Sequence, residues 1–452
     1  MEIWIDENGF YAQTNMEDFE NNKRRRRYKR CLKKIRRRLR KMNKSNRYKE
    51  LVGNFKTKIE HCKNCGSTSL IKWGVFWRKV RYFFHRRENN IPIQRYRCNN
   101  CGKSFSVSPK YITKHRWYSN KALQDMVDMK LWTYAGYRKV GNWGRIHGSS
   151  HTTVIREIIN MAPVCKNALK SIVCKFSSIV CIDEVYFRKV KGIHYMGLAA
   201  VDARYGRIIY VETYQVKTPK VIKRFGDLES SSYQESKTEC IKEFINELLQ
   251  LADVKVIITD GNASYSQVID EINDYRPHNK VIKHFLCTLH VLWEIDRAFH
   301  LSRFTKLSPT LKMMKELLHN AFNSNTLEEA EKKLDEALSR SYLVKGTHVE
   351  ALFQMLSDNR HRLFSYLKYG INRTNNPVEH YNGFTKRFQH VSRKFASLNG
   401  IKSLLTVFAL FYNFMPKMKG DNKGISPLQK AGWTIKMDMY EYVNYPRCVC
   451  NA

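Results

Sequence analysis

Three carboxylates in this chain have the type and setting to hold divalent cations. Asp183 closes the apolar run Ile179 to Ile182, and Asp260 closes the run Val254 to Thr259. Buried strands that end in carboxylates project rigid oxygen ligands into a crevice beside a sheet. Glu379 is the third candidate, in the first turn of a predicted helix with Asn376 as N-cap and Pro377 at the first helical position. The same N-x-x-E pattern is also a capping box, in which the glutamate only closes the helix end. Three such ligands suit two Mg²⁺ ions, with Mn²⁺ as a substitute, and such a pair activates a nucleophilic oxygen and stabilises the leaving 3′ oxygen of a phosphodiester. Glu184 competes with Asp183, but the period of two along a strand sends neighbours to opposite faces, so only one is expected to enter the site.

A second ligand set is made of thiols. Cys62 and Cys65 form one C-x-x-C pair, Cys98 and Cys101 the other, and each is followed by a glycine, Gly66 or Gly102. Tight turns there point backbone amides at the sulfurs, and four thiolates close a tetrahedron around one structural Zn²⁺. His85 lies between the pairs, but four cysteines already complete the set. The 32 intervening residues include WGVFWRKVRYFF, which has the texture of a strand pair extended outward from a zinc ribbon. With 12 cysteines in 452 residues a disulfide framework is excluded, and Cys448 and Cys450 read as free thiols.

The elements that must position these groups follow from periodicity. Leu123, Met126, Val127 and Leu131 repeat at helical spacing, Tyr137 to Ile146 forms a second segment, and SHTTVIREIINM a third after Gly148. Short helices joined at a glycine fit a helix-turn-helix whose recognition helix, Ser150 to Asn160, would present His151, Thr152 and Arg156 to DNA. A plain helical hairpin is the ordinary alternative. After Lys175 come SSIVCIDEVYF, GIHYMGLAAVDA and GRIIYVETYQ, spaced as three antiparallel strands. A helix from Glu239 to Leu251 then leads to VKVIITD and KVIKHFLC, runs typical of buried parallel strands. The expected fold class is α/β, a ribonuclease H-like mixed sheet with a helical insertion, preceded by a zinc ribbon and a helix-turn-helix. The boundaries read as a basic arm over 1–55, a ribbon over 56–112, the helical DNA-binding domain over 113–172, the catalytic domain over 173–416 with its insertion at about 301–369, and a tail over 417–452.

Charge points to the partner. Lys and Arg number 80 against 41 Asp and Glu, a formal +39 at pH 7. The segment Lys23 to Lys49 carries 17 of those cations in 27 positions with no acidic residue, and is expected to be largely disordered without a polyanion. Double-stranded DNA is the expected partner. Arg373, Lys386 and Arg387, which flank Glu379, are candidates for the phosphates beside a cut, although exposed cations on so basic a chain have the ordinary alternative of a solvated face. The longest apolar run, Leu404 to Met415, is too short to span a membrane, and MEIWIDENGF carries no secretory pattern. The expected location is cytoplasmic and nucleoid-associated, with no membrane.

The strings IDEVYF, ITDGNASY, CTLH with Cys287 and His290, and TNNPVEHYNGFTKRF followed by SRKFASLNGIKSLLTVFALFYNF resemble the insertion-sequence DDE transposases of prokaryotes, especially the groups related to Mutator-type elements. The resemblance covers roughly residues 60 to 415. It implies a ribonuclease H-like core with Asp183, Asp260 and Glu379 as the metal-binding triad, and a helical insertion in the 119 positions from Asp260 to Glu379. The C-x-x-H pair is similar to a motif of those groups. Read by itself, the pair also fits simple packing at a strand-to-helix corner, and Trp293 fits either a core position or a stacking platform for an extruded base. The expected function is a transposase that binds terminal inverted repeats as a dimer or higher oligomer, frees a 3′-OH and joins it to target DNA. A DNA-binding regulator or domesticated transposase without cleavage is the alternative.

Overall fold

A computed structural model describes the strand pair at 2–6 and 9–13 and the chain over 60–445, with breaks at 83–84, 108–111, 113–117, 146–149, 175, 189–193, 217–230, 301–307, 348, 372–376, 393–394 and 418–421. The basic arm, Arg373, Asn376, Cys448 and Cys450 lie outside the described residues. Two compact units emerge, one of Met1–Val164, Arg387–Arg393 and Met437–Ala452, the other of Cys165–Lys386 and Lys394–Lys436.

In the first unit, β1 (Glu2–Asp6) and β2 (Gly9–Gln13) pair antiparallel. A second sheet holds β3 (Leu70–Tyr82), β4 (His85–Cys98) and β5 (Ser104–Val107) in that order, all antiparallel. Three helices follow: α1 (Asn120–Thr133), α2 (Tyr137–Arg145) and α3 (His151–Ser171). Ser119 caps α1, its side chain accepting from the Ala122 N–H at 3.1 Å. Leu123, Met126, Val127 and Leu131, the apolar residues of the helical repeat, are all fully buried. A Cβ on Gly141 would lie 2.6 Å from the His151 nitrogen, so only glycine lets α2 meet the start of α3 this closely. Lys130, buried on α1, donates to the Ala135 carbonyl at 2.9 Å and lies under the rings of Tyr137 and Phe388, which anchors the 387–393 segment. Sequence periodicity assigns nothing to the chain after 420, yet Tyr440 and Tyr445 there are buried, with hydroxyls donating to Asp128 and Glu157.

The second unit is built on a five-stranded mixed sheet of β6 (Ile179–Arg188), β7 (His194–Asp202), β8 (Ile208–Val216), β9 (Val256–Thr259) and β10 (Lys283–Leu286), in the order β10-β9-β6-β7-β8. β6, β7 and β8 run antiparallel to one another in turn, whereas β9 is parallel to both β6 and β10. This mixed α/β arrangement is compatible with a ribonuclease H-like core. Alternation divides β6 cleanly. Val180 and Ile182 join the core beneath α4 (Ser231–Leu251) and α5 (Ala263–Asp274), where Ile241, Phe244, Ile245 and Leu248 are fully buried. Val185 and Phe187 face α12 (Leu398–Phe414), which approaches because β7 has Gly197 there; a Cβ would sit 3.1 Å from Leu405 Cδ1. Asn413 of α12 accepts from the Ile208 N–H at 2.7 Å and donates to its carbonyl at 2.9 Å, fixing the start of β8.

Between β10 and α11 (Pro377–Ser392) the chain forms a separate helical core from α6 (Thr288–His300), α7 (Pro309–Phe322), α8 (Leu327–Ser339), α9 (Glu350–Asp358) and α10 (Ser365–Tyr369). The short helices α13 (Pro427–Lys430) and α14 (Met439–Tyr442) come last. Among the described residues no helix is long and apolar enough to cross a membrane.

Candidate metal centres

Cys62, Cys65, Cys98 and Cys101 converge, every sulfur lying within 4.8 Å of the others. The turns that carry them match. Gly66 donates to the Cys62 carbonyl and Gly102 to the Cys98 carbonyl, both at 2.9 Å, and both glycines take positive φ, 73° and 65°. The sulfurs of Cys62 and Cys101 are 3.7 Å apart, and those of Cys65 and Cys98 are 3.6 Å apart. A tetrahedron with metal–sulfur bonds of about 2.3 Å has edges of about 3.75 Å, so the four thiols fit a zinc ion. The N–H groups of Cys101 and Asn100 hold the Cys98 thiol below its ordinary value, and those of Asn64 and Cys65 do the same for Cys62. Thiolates are the form that binds metal.

The carboxylate site is assembled by strand register. β6 and β9 pair through Ile179 with Val256, Val180 with Ile257 and Cys181 with Ile258. Two residues further along each chain stand Asp183 and Asp260, so continuation of the register sets them side by side. The sequence reading put Asp183 at the end of its strand; β6 in fact runs on to Arg188, and what ends at Cys181 is the pairing with β9. That gap at the sheet edge also corrects the expectation for Glu184. Its side chain does leave the opposite face from Asp183, yet its carboxylate reaches within 4.8 Å of both Asp183 and Asp260. β7 still flanks β6 here, but β9 no longer pairs with it beyond Cys181, so on that side no strand keeps the Glu184 carboxylate apart from Asp183 and Asp260.

Glu184 has its own partners: Lys237 Nζ at 2.6 Å and the Tyr265 hydroxyl at 2.5 Å, both buried. Asp183 accepts from Asn382 Nδ2 at 2.9 Å and from the Glu184 N–H at 2.9 Å. Burial, then Glu184, push the Asp183 carboxyl up to about 7. Asp260 is raised by the same two causes, against the N–H of Asn262, which it accepts at 3.1 Å. Lys237, Tyr265 and Asn382 escaped the sequence reading. Asn382 alone left a signal there, standing three positions after Glu379 on the same helix face.

Glu379 sits in the first turn of α11, behind Pro377 as predicted. It is grouped with Cys287 and His290, ligand atoms again within 4.8 Å, while Asp183 and Asp260 are grouped with Glu184. Burial raises the Glu379 carboxyl and Asp183 adds to that, while His290 and Lys386 oppose it. Cys287 follows β10 and donates its N–H to the Thr259 carbonyl at 2.7 Å, beside Asp260. Trp293 meets His290 edge-on at 5.3 Å and is 53% exposed, which excludes a core position for it.

Of the candidate DNA contacts, Thr152 and Arg156 are exposed one turn apart on α3, and His151 is half-buried. Lys386 is exposed, whereas Arg387 lies over the Tyr134 ring at 5.6 Å.

No family model matches the chain, and no curated protein does. Among solved structures the chain is similar to the crystal structure of the catalytic domain of Mos1 mariner transposase, at 12% identity and a TM-score of 0.15, over 54% of this chain and 96% of that one.

Proposed function

We propose that this chain is a DDE transposase with a ribonuclease H-like core, which cuts DNA at the ends of a mobile element and joins the freed 3′-OH to target DNA. The observation that carries the reading is the register of β6 and β9, which sets Asp183 beside Asp260. Asp183, Asp260 and Glu379 would hold the divalent ions. When bound, two Mg²⁺ or Mn²⁺ ions lower the pKa of the attacking oxygen and stabilise the leaving one.

The chain's own residues prepare that site. Asn382 orients Asp183 from the helix that carries Glu379. Lys237 offsets the charge of Glu184, so that two aspartates and a glutamate can crowd together without a bare third neighbour. Lys386, exposed on the same helix, would meet phosphates beside the cut. The zinc ribbon held by Cys62, Cys65, Cys98 and Cys101 and the helix-turn-helix of α2 and α3 would bind the terminal inverted repeats. Synapsis of two ends calls for at least two copies.

The test is incubation of the full chain with Mg²⁺ and DNA carrying the sequences that flank its coding region. Strand-transfer joints are expected. Cleavage without joining means a nuclease, and specific binding without cleavage leaves the regulator reading in its place.

A further inference from the structure

The proposed triad leaves two side chains at its edge without a task, Cys287 and His290. Cys287 is fixed by its N–H bond to Thr259 at 2.7 Å, and the imidazole of His290 is braced edge-on by Trp293. His290 Nδ1 and Glu379 Oε1 are both shielded from solvent and make no hydrogen bond, although they stand 3.4 Å apart. Two polar atoms shut away from water and unsatisfied in this manner call for a shared partner. A tetrahedral ion with bonds of about 2.1 Å to nitrogen and oxygen has ligands about 3.4 Å apart. The Cys287 sulfur completes a group within 4.8 Å.

We infer that Cys287, His290 and Glu379 form a second transition-metal site that takes Zn²⁺. Thiolate, imidazole and carboxylate together are a zinc donor set, and magnesium, which prefers oxygen, has no use for two of the three. Three protein ligands leave a fourth position open to water. The site shares Glu379 with the proposed Mg²⁺ triad, so zinc bound there withdraws the glutamate from Asp183 and Asp260 and inhibits cutting. The inhibition rests on the proposed cleavage role of Glu379; metal binding does not, and the two are measured separately.

Zinc content of the full chain after dialysis against Zn²⁺ is expected to fall from about two ions to about one in Cys287→Ser and in His290→Asn, the remaining ion belonging to the four-cysteine group. X-ray absorption at the zinc edge of the unmutated chain gives the same answer without relying on a variant that folds. An average of about 2.5 sulfurs per zinc with nitrogen or oxygen in the shell is expected, and a shell of four sulfurs alone would overturn the site. Should the ribbon hold no zinc, the shell would contain about one sulfur, so the two readings fail distinguishably. For inhibition, zinc at ten times its dissociation constant should slow Mg²⁺-supported nicking about tenfold, and His290→Asn should remove that effect. Equal zinc content in all three proteins refutes the proposal, and occupied zinc that leaves nicking untouched refutes its inhibitory half.

Discussion

The thiol cluster and the carboxylate cluster are both gathered ligand sets, but they are gathered by different means. Each cysteine pair is closed by its own turn, with a glycine at positive φ and a hydrogen bond across the knuckle, so backbone geometry alone aims the sulfurs. The carboxylates come from β6, the end of β9 and α11, and what brings them together is sheet register and helix packing. Local turns hold Cys98 and Cys62 below the ordinary thiol value, whereas Cys65, against the N–H of Ser67, is pushed up to about 11 by burial and the three other cysteines. Long-range assembly buries the carboxylates and sets like charges beside them, so Asp183, Asp260 and Glu379 are all pushed up, by burial first and by their neighbours second. In the thiol set the load falls on one cysteine, whereas in the carboxylate set it falls on all three groups, and a cation would relieve both.

The sharpest way to break this comparison is to exchange lesions between the two clusters. Asp260→Asn should lower Mg²⁺-dependent cleavage by at least about a thousandfold, several kcal/mol of transition-state stabilisation, and leave DNA binding nearly unchanged. Cys98→Ser should do the reverse: loss of zinc, loss of end binding, and cleavage that falls only through weaker binding. Paired binding and nicking measurements decide it. A Cys98→Ser protein that binds ends normally would show that the knuckles carry no share of recognition. Glu379→Gln separates ligand from cap, since glutamine still caps a helix but is a poor ligand; retained activity would assign Glu379 to capping.

The same contrast explains what was legible in the sequence. The C-x-x-C pairs stand out because ligand and turn are neighbours in the chain. Asp183 and Asp260 were legible because each follows an apolar run, and the run reports the strand. Lys237 was not, because nothing near it in sequence hints that α4 will carry it beneath Glu184. Glu184 was misjudged because alternation fixes the face a side chain leaves, not how far its carboxylate reaches once β9 stops pairing with β6 at Cys181. Trp293 reads as core by composition, yet its exposure follows from its position on the open face of α6 beside His290.

Lys237 supplies the next test. Lys237→Met would leave Glu184 buried and uncompensated, and should destabilise the fold by roughly 3 to 5 kcal/mol, read as a lower urea midpoint. Lys237→Met with Glu184→Gln should recover much of that loss. If the double variant is no more stable than the single, the pair is not the electrostatic prop of the carboxylate cluster.

Metal-free stability should also depend on pH with a sign set by Asp183. Its carboxyl rises from 3.8 to about 7 on folding, so its contribution is fully present below its unfolded value and lost as pH climbs through about 7. Relative to Asp183→Asn, the unmutated protein should lose on the order of a few kcal/mol between about pH 4 and pH 7, and Mg²⁺ should restore it. Parallel stability curves for the two proteins would remove the electrostatic load from the comparison.

The smallest effect expected lies on the binding side. Thr152 and Arg156 are exposed one turn apart near the start of α3, where a helix laid in a major groove presents its side chains to base edges. A guanidinium there reads guanine through two hydrogen bonds, a contact worth about 1 to 3 kcal/mol of discrimination against the wrong base. The arm from Lys23 to Lys49, with 17 cations, would meet phosphates whatever their sequence and release counterions as it did so. Arg156→Ala should therefore narrow the gap between terminal and random DNA about tenfold and leave the salt slope nearly unchanged. Deleting the arm should weaken both DNAs alike and flatten the slope. Titrating both proteins on both DNAs across a salt series separates the two. If arm deletion selectively loses the terminal sequence, the arm reads bases or shape, and recognition is not confined to α3.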